Sequence, residues 1–93
     1  MRRILPAVLL VLAPLGAYAA LPGNAADGKS LHDIYCTACH DTGVYSRPDR
    51  RVRSLDALKR QLQGCERAAG TDFSAKEKQD VLKYLNDRFY RFP

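Results

Sequence analysis

The sequence has one methionine, Met1, two histidines, His32 and His40, and three cysteines, Cys36, Cys39 and Cys65. An odd number of cysteines excludes a framework in which every thiol pairs within the chain. No stretch alternates apolar and polar residues for long enough to make a strand, and no segment repeats, which leaves an all-α chain. The apolar run from Ile4 to Leu15 is shorter than the about 20 residues that a bilayer-crossing helix needs, and Pro6 and Pro14 interrupt it. Strong charge of one sign is also missing, since 15 Lys and Arg stand against 10 Asp and Glu. That balance gives no electrostatic footprint for nucleic acid. Nor is there a constellation of general acid, base and nucleophile, so the chain does not read as an enzyme.

What is present begins with "MRRILPAVLLVLAPLGAYAA": two arginines, the apolar run, then Ala17-Tyr18-Ala19. This is the layout of a secretory signal peptide cleaved after Ala19, with retention as an amino-terminal anchor as the alternative. Residues 1–19 are thus the expected leader, and 20–93 one small domain in the periplasm. Loss of Arg2 and Arg3 with the leader leaves 13 basic against 10 acidic residues, a net charge of +3. A domain this short needs a staple such as a disulfide, a metal or a cofactor.

Caps and apolar spacing predict three helices. The first starts after Asn24 as N-cap, has Asp27 in its first turn, presents Leu31, Ile34 and Tyr35 as an apolar face, and runs into Cys36. The segment "DTGVYSRPDRRVR", residues 41–53, reads as loop. A second helix has Ser54 as N-cap and Asp56 in its first turn. Leu55, Leu58, Leu62, Cys65 and Ala69 form one stripe on it, and its end falls at Gly64 or at Gly70. Ser74 and Glu77 form a capping box for the third, which runs to about Phe89 and buries Val81, Leu82, Leu85, Phe89 and Phe92.

The chemistry is concentrated in "CTACH", residues 36–40. Two thiols three positions apart on a helical turn can add across the two vinyl groups of a porphyrin edge, which places the following imidazole beneath the ring. The five-residue pattern reads as a c-type haem attachment site, with Cys36 and Cys39 as thioether positions and His40 as the iron ligand. One covalent haem per chain also supplies the missing staple, and its propionates offset most of the remaining positive charge. A zinc site with Cys65 or His32 as fourth ligand is disfavoured because adjacent Cys and His are awkward as two corners of one tetrahedron. A thioredoxin-like dithiol is disfavoured because no strand precedes the motif.

With these residues in hand, the chain resembles the small class I bacterial cytochromes c. "GKSLHDIYCTACH" is similar to their first helix and haem-binding turn, and "VLKYLNDRF" to their last helix. The resemblance implies a three-helix cytochrome c-like fold in which Gly28 and His32 cross near Tyr84 and Leu85. It also implies single-electron transfer with redox partner proteins. The family's usual second iron ligand, a methionine before the last helix, has no counterpart here, which removes the raised potential of His/Met iron. The family's Gly-Pro-Xaa-Leu segment is missing too, and leaves the Pro48 carbonyl as a weak candidate to accept from the His40 ring.

For the far face of the haem the sequence offers Cys65, with three readings: a buried small hydrophobe, a ligand or wall of the distal pocket, or one half of an intermolecular disulfide. An open sixth position competes with it. His32, four residues before Cys36, belongs with helix packing or solvent. In "RPDRRVR", Arg47, Arg50, Arg51 and Arg53 read as a solvated loop, as hydrogen-bond donors to a propionate, or as a docking face for an acidic partner. The expected function is electron transfer in the periplasm. The alternatives are a high-spin protein binding CO or NO, and a sulfur-chemistry protein using Cys65 beside iron.

Overall fold

Each of the three expected N-caps makes the hydrogen bond that its residue type suits it for. In the computed structural model, which describes residues 3–4, 20–37 and 40–93, helix α1 spans Ala25–Tyr35 and the Asn24 side chain accepts from the Asp27 N–H at 2.9 Å. Helix α3 spans Leu55–Ala69, with the Ser54 hydroxyl accepting from the Ala57 N–H at 3.0 Å. Helix α4 spans Ala75–Leu85 behind the reciprocal Ser74–Glu77 capping box. The chain is all-α, and no strand occurs among the described residues. No helix there is long and apolar enough to cross a membrane. The leader expected over residues 1–19, apart from Arg3 and Ile4, and Cys39 of the motif lie outside the described residues.

Three expectations need correction. A fourth helix, α2, forms over Gly43–Ser46 inside the segment that reads as loop. The last helix does not stay α-helical to Phe89: α4 ends at Leu85, and Asn86–Tyr90 form a π-helical turn closed by Arg91 in the left-handed conformation. The face of α1 also differs. Ile34 and Tyr35 are exposed, at 65% and 44%, while Gly28 and His32 are buried, because the stripe that meets α4 runs through positions 28 and 32. Gly64 does not end α3. The helix continues to Ala69, where Gly70 adopts a left-handed φ of 70° and donates to the carbonyl of Arg67.

Among the described residues the most extensive helix packing is that of α1 on α4. The His32 ring lies 5.3 Å from that of Tyr84, the partner expected for it, whereas Gly28 meets the backbone of Asp80 and Val81, one turn earlier than Tyr84. Around this crossing is a core of Tyr45, Val52, Leu58, Leu62, Phe73, Val81, Tyr84, Leu85 and Tyr90.

Asp80 fastens the crossing at one end. Its carboxylate is 1% exposed, accepts from the Asn24 backbone N–H at 2.8 Å, and pairs with Lys76 Nζ at 2.6 Å. The lysine first, and the Asn24 N–H second, hold the Asp80 carboxyl below its ordinary value. A carboxyl whose folded value is depressed stabilises the fold above the ordinary carboxylate value and loses that contribution as pH falls from there through the depressed folded value. Asp80→Asn is therefore expected to flatten the acid limb of a stability-versus-pH profile. An acid limb identical to that of the unsubstituted protein would show that the pair adds nothing.

Candidate functional site

The turn after α1 sets the position of Cys36. Its N–H donates to the His32 carbonyl at 2.8 Å, and the Thr37 N–H reaches the same carbonyl at 3.2 Å, so Cys36 is fixed to the last turn of the helix. His40 comes next among the described residues of the motif. Its Nδ1 lies 2.8 Å from the Asp41 backbone carbonyl. A carbonyl only accepts, so Nδ1 carries a proton, and in the neutral ring Nε2 keeps the lone pair, the form in which an imidazole ligates a metal. The accepting carbonyl is that of Asp41, and the Pro48 expectation is corrected accordingly. The Asp41 carboxylate also accepts from the Gly43 N–H at 2.9 Å, which ties the motif to the start of α2.

His40 lines an open cleft of about 250 Å³, together with Val44, Tyr45, Arg47, Arg50, Arg51, Val52, Gln61, Cys65 and Tyr90. A much smaller cavity of about 10 Å³, room for about one water, is lined by Tyr35, Cys36, Leu62, Cys65, Glu66, Ala69, Thr71 and Phe73. Cys65 is a wall of both. The structure thus gathers Cys36, His40 and Cys65 around two cavities that share one residue, although they come from two helices and a turn. Cys65 is a free, half-buried thiol whose sulfur lies 3.6 Å from Gln61 Nε2, within reach as an acceptor.

The two phenols in the cleft stay neutral. Burial pushes Tyr45 above its ordinary value, and the nearby Cys36 and Cys65 add to the shift. Burial raises Tyr90 as well, against the opposing influence of Arg50. The arginine run divides between two tasks. Arg50 is committed to the fold, donating from Nη1 to the Tyr45 carbonyl at 2.9 Å and lying over the rings of Tyr90 and Phe92 at 4.7 and 5.5 Å. Arg47 and Arg51 are exposed at the cleft and Arg47 pairs with Asp49 at 3.4 Å, whereas Arg53 is exposed and no part of the lining.

His32 lines neither cavity. It is completely buried, with Nε2 2.8 Å from Tyr45 Oη and Nδ1 3.1 Å from Asp33 Oδ1. Sequence reasoning missed Tyr45, which bridges the two histidines, and missed Val44, Val52 and Tyr90 as cleft walls. The only signal for Tyr45 was its place after glycine in "TGVYS", a pattern too short to show periodicity. Among the described residues no group of three or more His, Cys, Asp or Glu side chains is arranged to hold a metal ion. Comparison with protein-family models, with curated proteins and with solved structures finds no match.

Proposed function

We propose that this chain is a periplasmic monohaem c-type cytochrome that passes single electrons. The carrying observation is His40, four residues after Cys36 in CTACH, set in the wall of the cleft with Nδ1 held by a backbone carbonyl and Nε2 left as the ligating nitrogen. The residues suit haem because haem brings four nitrogens of its own and asks the chain for an axial imidazole and two thiols, not for a cluster of ligands. When bound, haem supplies a one-electron iron couple in an apolar setting.

The chain's residues would then do the following. Cys36 and Cys39 would hold the group by thioether bonds and His40 Nε2 would ligate its iron. Val44, Tyr45, Val52 and Tyr90, which line the cleft, would shield one side of it from water. Arg47 and Arg51 are placed to meet propionates or an acidic redox partner, and their forked donors fit carboxylates of either kind. No methionine follows His40. The midpoint potential is therefore expected to lie below that of a His/Met cytochrome, and redox titration measures it. A value in the His/Met range would overturn this account of the axial ligands.

A second reading follows from what else lines the cleft. Cys65 is its one sulfur among the described residues and His32 is committed to Tyr45, which leaves a Cys-lined or open far side where CO or NO would bind. Cys65→Ala tests it. If the thiol lines the haem, the Soret band shifts and CO enters faster. If it is ordinary core, stability drops by about 1 kcal/mol and the spectrum stays the same.

A further inference from the structure

His40 is braced from a direction that the attachment motif does not account for. Its ring stands at 88° to that of Tyr45, with centroids 5.5 Å apart, an edge-to-face contact. Tyr45 is in turn anchored at its far end, where Oη lies 2.8 Å from His32 Nε2. The other nitrogen of His32 lies 3.1 Å from Asp33 Oδ1, and Asp33 pairs with Lys29 at 2.6 Å. That lysine, with His32 second, keeps the Asp33 carboxyl below its ordinary value, so the carboxylate only accepts. In the neutral ring Nδ1 then carries the proton, and the phenol O–H of Tyr45 donates to Nε2. His32 has no freedom of its own, being wholly buried with its ring 5.3 Å from that of Tyr84.

The chain Asp33–His32–Tyr45 therefore runs from the surface of α1, through the α1–α4 crossing, to the flank of His40. A buried histidine at such a crossing carries a desolvation cost that an apolar residue would avoid, and its two hydrogen bonds offset that cost only while Tyr45 keeps its place. We propose that His32 and Tyr45 are positioning residues that fix the plane of the His40 imidazole at the iron. This rests on the haem reading above. The Asp41 carbonyl sets which nitrogen faces the cleft, and Tyr45 sets the rotation of the ring about the bond that carries it.

The test compares the full-length exported protein with Tyr45→Phe, which removes only the hydroxyl, with His32→Gln, and with the double variant. The readout is the spread of the four haem methyl resonances in the oxidised protein, which follows the plane of the axial imidazole, together with the midpoint potential. Both single variants are expected to move the methyl spread and the potential in the same sense, and the double variant to move them no further than the larger single. Unmoved resonances and potential with a lowered melting temperature would make the pair ordinary core packing and overturn the inference, as would strictly additive shifts. Should His32→Gln fail to fold, Tyr45→Phe alone decides. An unsubstituted protein without covalent haem would overturn the haem reading and this inference together, whereas covalent haem with unmoved resonances would overturn the inference only.

Discussion

Gly28→Ala is expected to remove a large part of the stability of the fold and to lower its melting temperature well below the parent's. A Cβ at position 28 would overlap the carbonyl oxygen and carbon of Asp80 and stand 2.9 Å from the Val81 nitrogen. These are backbone atoms of α4 and cannot rotate aside, so α1 must lift off the helix on which it packs. The Asn24–Asp80 and His32–Tyr84 contacts leave with it. Overpacking a core typically costs about 1–3 kcal/mol, and a domain of this size commands only about 3–5 kcal/mol in all. Gly64→Ala is the control, because nothing lies within 4 Å of a Cβ there. In mid-helix it is expected to add about 0.5–1 kcal/mol. Thermal unfolding followed by circular dichroism compares the two, and a Gly28→Ala protein that melts like the parent would refute the crossing.

Cys36→Ala with Cys39→Ala is expected to remove covalent haem entirely. Two thioether bonds need two thiols, and Cys65 lies on α3, outside the motif. The same variant is expected to lose its cooperative fold, because the nine buried apolar side chains of the described residues make a small core for a chain of this length. Haem that stays with the double variant through denaturing electrophoresis would show that attachment does not use this motif.

The helices were legible where local chemistry decides them. Asn24, Ser54 and the Ser74–Glu77 pair announce their helices because a cap satisfies orphan backbone donors within three residues of sequence. What could not be read depends on contacts that reach beyond a cap or a single helical turn. Asn86 is fully buried and clamps the Phe92 backbone, its Oδ1 accepting from the Phe92 N–H at 2.8 Å, in the segment where α-helical geometry gives way to the π turn. Tyr45 is buried partly by Phe89 and Tyr90, whose rings lie 5.1 and 5.9 Å away. Its hydrogen bond to His32 spans thirteen residues, so no short window of sequence contains both. Within the candidate site, Cys36 and His40 could be named from spacing alone, and the stripe on α3 pointed Cys65 inward. Its place as a wall shared by two cavities needed the packing of α3 against the rest.

Covalent haem on the exported chain is the claim on which the rest depends. The most direct measurement is the mass and visible spectrum of the purified, denatured protein. The expected result is a mass that includes one haem beyond the polypeptide 20–93, with the absorption of a haem joined by two thioether bonds. A colourless protein with the mass of the polypeptide alone would contradict it.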